Sequence, residues 1–88
     1  MPTKEERLMD EQLWQRITMD PKVMVGKPVI RGTRVPVELI VRMLAQGIPE
    51  GDILREYPRL QPEDIRAALT YAARVLAQED VFPLSTPA

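Results

Sequence analysis

The sequence predicts a mostly α fold: a helix-turn-helix-like three-helix domain preceded by a short N-terminal β-ribbon. Three observations predict it. The segment before residue 37 is extended in character and punctuated by prolines and glycines. From Pro36 onward, apolar residues recur with the period of a helix. Three prolines, Pro36, Pro49 and Pro62, each stand where such a helical stretch begins, a position that proline favours.

Taken in order, residues 1–15 read as a polar N-terminal arm, frayed or briefly helical, with Leu8, Leu13 and Trp14 as its large apolar groups. "WQRITM" alternates in the manner of a strand, with Trp14, Arg16 and Thr18 on one side and Ile17 and Met19 on the other. Asp20-Pro21 signals a turn. "KPVIRGTRVPV" supplies a second extended segment, with Gly32 placed for a bend or a positive φ. Pro28 and Pro36 each lack a ladder donor, which confines them to an edge, so the ribbon is expected to have arms of about three or four residues.

Val37, Ile40, Val41 and Leu44 then mark a first helix over 36–46, closed by Gly47. A second, shorter helix runs from Pro49 to Tyr57, burying Ile53, Leu54 and Tyr57 and stopped by Pro58. Leu60 fills the corner before a third helix over 62–78, whose apolar stripe is Ile65, Ala68, Leu69, Ala72, Ala73 and Leu76, with Val75 at its edge. Residues 16–78 thus form a single domain, and 79–88, with two prolines, read as a flexible tail.

Composition narrows the function classes. The chain of 88 residues buries about 60–65% of its unfolded surface, a thin core to which dimerisation would add; a homodimer is expected. With no cysteine, no histidine and one serine, Ser85 in the tail, disulfides, thiolate or imidazole metal sites and a Ser-His-Asp triad are all out of reach. A catalytic pair would have to come from Asp20, Glu38 or Asp64 with arginines, and no spacing recommends one. The expectation is a non-enzyme without cofactor, metal or small-molecule substrate. No window of eighteen apolar residues exists and the first residues carry acids, so a cytoplasmic protein with no membrane partner is expected.

Net charge is −1 but unevenly spread. Residues 22–49 carry Lys22, Lys27, Arg31, Arg34 and Arg42 against Glu38 alone. Lys27, Arg31 and Arg34, with the Thr33 hydroxyl, are candidates for contacts to a nucleic-acid backbone, since a ribbon or arm can enter a groove. The competing reading is solvated charge that protects an edge strand. For Arg34 there is a further alternative: folding back to bond carbonyls, with Asp20 as counter-charge. "GKPVIRGTR" is not a phosphate loop, because it lacks the Gly-Lys-Ser/Thr ending.

In a helix-turn-helix the third helix would lead with Gln61, Glu63, Asp64 and Arg66. Arg66 is a candidate for nucleic acid. Glu63 and Asp64 would be repelled by phosphates and are most simply helix-start acids. The acidic stretch from residue 50 to 64 offers Glu50, Glu56, Glu63 and Asp64 as candidates for a basic protein partner.

One long stretch resembles a known family. "ITMDPKVMVGKPVIRGTRVPVELIVRMLAQGIPEGDILREYPRLQPEDIRAALTYAA" is similar to the bacterial domain of unknown function numbered 433. Its pattern is matched at Ile17, Thr18, Asp20 and Pro21; at Gly26, Lys27, Pro28, Ile30, Gly32, Thr33, Arg34 and Pro36; and at Tyr57, Pro58, Leu60, Asp64, Ile65, Ala67 and Tyr71. The resemblance covers roughly residues 16–74, and the "GKPVIRGTR" and "YPRL…EDIRAAL" blocks together make it specific. It implies a helix-turn-helix-like domain, often dimeric. For many members it implies the role of antitoxin in a type II toxin-antitoxin pair, beside a PIN-like ribonuclease toxin, with repression of the shared operon through operator DNA. The alternative is a pure protein-interaction or dimerisation module without DNA contact. Two departures concern the second helix: Ile48 replaces a Ser or Thr before the proline, with an expected loss of about 1 kcal/mol of capping, and Gly51 is a poor helix former.

Overall fold

A computed structural model describes residues 3–4, 11–22 and 24–78. The fold is mostly helical with a short two-stranded antiparallel ribbon before the main helices. The strands are β1 (Ile17–Thr18) and β2 (Val29–Ile30), paired Ile17 to Ile30 and Thr18 to Val29. Three helices follow: α1 (Val37–Ala45), α2 (Glu50–Glu56) and α3 (Pro62–Gln78). A turn of helix over residues 11–14 precedes β1.

The ribbon is shorter than predicted, two residues per strand, because of what brackets β2. Pro28 precedes it, and the chain turns immediately after Ile30 through Gly32, whose φ is +81°. Beyond the turn the chain returns alongside β2: Ile30 N–H donates to Val35 O at 3.0 Å, and Pro36 forms a bridge opposite Val29. Pro36, lacking an N–H, takes the outer side of this pairing. Val29 is therefore flanked on both sides by backbone and fully buried.

Residues 14–16 do not extend β1 as the alternation suggested. Gln15 N–H donates to Glu11 O and Arg16 N–H to Leu13 O, so the chain is still turning there. Trp14 is held against α3 instead, its ring stacked on Tyr71 at 5.2 Å between centroids with the Arg74 guanidinium over it. Leu13 is buried in the core, so the fold begins before residue 16, inside what the sequence marked as an arm. The predicted tail, 79–88, lies outside the described residues.

Helix α1 starts one residue later than predicted, with Pro36 as its N-cap at ψ 144° and no side-chain cap. Its first N–H is satisfied from the ribbon: Val37 donates to Pro28 O at 2.9 Å. It closes with Gly47 at φ +83°, where Gly47 N–H donates to Leu44 O and Ile48 N–H to Met43 O. That bond pair is a Schellman motif, and Ile48 packs on the core beside Met43 as the motif favours. Ile48 is thus the last piece of the α1 stop signal rather than a failed cap for α2, whose N-cap is Pro49.

Helix α3 matches its predicted span. Its first turn is fixed by Asp64, whose Oδ2 accepts from Gln61 N–H at 2.8 Å, the returning half of a capping box. The core is Leu13, Ile17, Ile30, Val37, Ile40, Ile53, Leu60, Ile65, Ala67 and Ala68. Ile30, Ile40, Ile53 and Ile65 are buried essentially completely, each contributing about 1.5–3 kcal/mol. The inward face of α3 is turned from the predicted one. Ala67 is buried, whereas Leu69, Ala73 and Leu76 are exposed. Tyr71 takes the inward position because its ring packs on Trp14.

Candidate functional site

The β-ribbon turn, the link after α2 and the end of β1 with the residues after it come together around one open cleft. It has a volume of about 720 Å³ and is lined by Thr18, Asp20, Val29, Arg31, Gly32, Thr33, Arg34, Val35, Tyr57 and Arg59. A smaller polar recess shares Arg31 and Arg59 and adds Arg16, Gln12, Gln15, Gln61 and Asp64. Four arginines from three parts of the chain therefore border these two hollows, Arg31 and Arg59 lining both, against one carboxylate in each. Of those carboxylates, Asp64 is paired with Arg16 at 2.9 Å. Asp20 Oδ1 accepts from Lys22 N–H at 2.9 Å, closing the turn at Asp20-Pro21.

Arg31 is tied to the backbone of the neighbouring segment. Its backbone N–H donates to Arg16 O at 2.7 Å, its Nε donates to Gln15 O at 2.7 Å and its Nη2 to Ile17 O at 3.3 Å. The carbonyl-bonding role that the sequence left open for Arg34 thus belongs to Arg31. The remaining N–H groups of its guanidinium stay available on an exposed residue, so the charge is held in place without being consumed. Arg34 and Arg59 are exposed, and among the described residues neither has a hydrogen bond or ion pair.

Thr33 departs from its expected role. Its Oγ1 donates to Ile30 O at 2.7 Å and accepts from Val35 N–H at 3.0 Å, which shapes the turn after β2. A hydroxyl has one proton to give, so Thr33 has none left for a phosphate. Lys27 and Arg66 are exposed but line neither the cleft nor the recess. Asp64 is also corrected: it is 5% exposed, bonded to Arg16 and to the Gln61 backbone, and so withdrawn from any outer acidic surface. Glu50, Glu56 and Glu63 remain exposed, with no ion pair among the described residues.

Arg59 and Arg16 were missed in the sequence. Arg59 sits in the helix link within a segment of net negative charge, and its proximity to Arg31 exists only once the link folds over the ribbon. Arg16 looked like one face of a strand. The one available signal was the cluster of arginines at segment ends, at residues 16, 31, 34 and 59, none of them inside a helix.

Residues 17–72, more than half of the chain's length, match the family model described as a protein of unknown function, DUF433. The chain belongs to this family. Every residue lining the cleft falls within the matched region, whereas Gln12, Gln15 and Arg16 of the recess precede it. Among curated proteins, the uncharacterized protein y4eO of Sinorhizobium fredii is 41% identical over 56 residues, which is 64% of this chain and 25% of that protein. An uncharacterized protein of Archaeoglobus fulgidus is 62% identical over 29 residues, 33% of this chain and 81% of that protein. The chain thus spans about a quarter of the length of y4eO. No solved structure matches it. Among the described residues, no helix is long and apolar enough to cross a membrane.

Proposed function

We propose that this DUF433 protein is a small cytoplasmic, non-enzymatic regulator that grips a nucleic-acid backbone in the cleft between the β-ribbon turn and the α2–α3 link. The observation that carries the reading is the convergence of Arg31, Arg34 and Arg59 on one concave surface, two of them without a partner among the described residues. Guanidinium groups suit phosphate oxygens in geometry and charge, and such contacts position a protein on nucleic acid without reading sequence. Arg31 is pre-placed by its carbonyl bonds, which lowers the ordering cost of binding.

Within this reading the protein serves as the antitoxin of a type II pair, holding a PIN-like ribonuclease toxin with another surface while the cleft engages operator DNA. A second reading, a protein-interaction module without DNA contact, is favoured by Glu50, Glu56 and Glu63, which are exposed, have no ion pair among the described residues and suit a basic partner. A mobility-shift assay on the duplex upstream of the protein's own gene separates the two. A shifted band at low salt supports the regulator. No shift, with or without the neighbouring gene's product, rejects it in favour of the interaction module.

A further inference from the structure

A cleft that only gripped phosphates would need cations, yet this one also presents an aromatic ring, apolar side chains and an acid. Tyr57 stands at the C-terminal end of α2, where Pro58 steers it away from helical backbone to φ −122° and ψ 81°. Its ring is half-buried against the core and also lines the cleft. Leu60 is buried and its N–H donates to Tyr57 O at 2.9 Å, so one closed turn carries both Tyr57 and Arg59. Among the described residues the Tyr57 ring stacks on no other ring and its hydroxyl has no hydrogen bond. Val29, fully buried, and Val35, half-buried, supply the apolar part of the lining. On the β1 side, Asp20 Oδ1 accepts from Lys22 N–H, and Oδ2 has no hydrogen bond among the described residues.

We infer, resting on the nucleic-acid reading above, that the cleft takes in an unpaired nucleotide of a single strand, its base stacked on Tyr57 and its flanking phosphates held by Arg31, Arg34 and Arg59. In a duplex, neighbouring bases cover each base's faces and pairing engages its edge, so the Tyr57 ring has nothing to stack on and only phosphates reach the cleft. An unpaired base offers what the remaining side chains suit: a π-face for the ring, and an N–H on its pairing edge for the second Asp20 oxygen. Every base has such a face and such an N–H, so little sequence preference is expected. The cleft volume of about 720 Å³ lies within the range of about 300–1,000 Å³ that encloses small ligands, so a base has room to enter. A strand suits the site better than a free nucleotide, because Arg31 and Arg59 also line the neighbouring recess and the cationic surface continues past the cleft.

The test is fluorescence anisotropy with the full chain on a labelled DNA oligonucleotide of mixed sequence, presented as a single strand and as a blunt duplex at the same salt. The wild type is expected to bind the single strand about 10-fold more tightly, although the duplex carries the denser charge. Tyr57→Leu should lower single-strand affinity by about 10-fold, the size of one lost stacked base, and leave duplex affinity as it is. Tyr57→Phe keeps the ring and should bind as the wild type does. Arg34→Ala should weaken both forms, since phosphates are common to them. Circular dichroism verifies folding of the Tyr57 variants, because the ring packs on the core, and the strand-against-duplex comparison on the wild type decides the matter without any variant. Mononucleotides added as competitors should displace the strand only in large excess. A duplex bound as tightly as the single strand, or a folded Tyr57→Leu that binds the strand like the wild type, would overturn the unpaired nucleotide and leave the cleft a backbone grip. Displacement by mononucleotides at equal concentration would overturn the strand as the ligand. Binding of neither form would overturn the nucleic-acid reading itself, and this inference with it.

Discussion

Arg16 Nη1 stands 2.9 Å from Asp64 Oδ1, and this ion pair joins the residue before β1 to the first turn of α3. The two partners are unequal. The Asp64 side chain is 7% exposed and that of Arg16 is 34% exposed. Removing the arginine strands a buried carboxylate, whereas removing the carboxylate lets the arginine return to water. Arg16→Met is therefore expected to cost about 3 kcal/mol in urea unfolding, and Asp64→Asn about 1–2 kcal/mol, since the amide oxygen still accepts from Gln61 N–H. An Asp64→Asn loss larger than that of Arg16→Met would reverse the assignment of which charge is trapped.

Backbone geometry offers two stabilising substitutions. Val25 has φ 55°, a left-handed conformation that β-branched residues resist, and its side chain is 92% exposed with no packing to lose. Val25→Asn should raise stability by roughly 0.5–1 kcal/mol. Gly51 lies inside α2, where an added Cβ would meet only the Arg55 guanidinium at 3.9 Å. Gly51→Ala should add about 1 kcal/mol. Thermal midpoints above wild type by about 4 °C for each would agree with these figures. A lower midpoint for Gly51→Ala would mean that α2 needs the glycine for a contact outside this chain.

Trp14 is the single tryptophan, so its fluorescence reports on one place, the stack with Tyr71 and Arg74. Because that stack docks the helical turn at residues 11–14 onto α3, Trp14 emission and helical circular dichroism should change together on unfolding. Trp14→Ala should cost about 1–2 kcal/mol. A fluorescence transition well ahead of the helical one would return residues 11–14 to the status of a loose arm.

These features divide by how they are encoded. The span of α3, the stop at Gly47, the plug at Leu60 and the positive φ of Gly32 were legible because periodicity, glycine and proline act locally. Which side of α3 faces inward was not, since Leu69 and Tyr71 are both apolar enough to bury and the choice rests on Trp14, fifty-seven residues from Tyr71 in the chain. The same holds for the cleft. Arg31 and Arg34 were singled out by local charge, but Arg59 joins them through tertiary folding, and Thr33 and Asp64 proved to be structural because their partners lie in turns and caps.

If the arginine cleft is the face that meets nucleic acid, binding there is electrostatic and falls with salt. The most direct test is the salt dependence of binding, by fluorescence anisotropy on labelled duplex from the protein's own upstream region. Each lost phosphate contact lowers the slope of log affinity against log salt by about 0.9, so Arg34→Ala/Arg59→Ala should flatten it by about 1.8, with affinity falling alike on specific and unrelated sequences. Lys27→Ala should leave the slope as it is. A double variant whose slope and affinity equal those of the wild type would contradict the account.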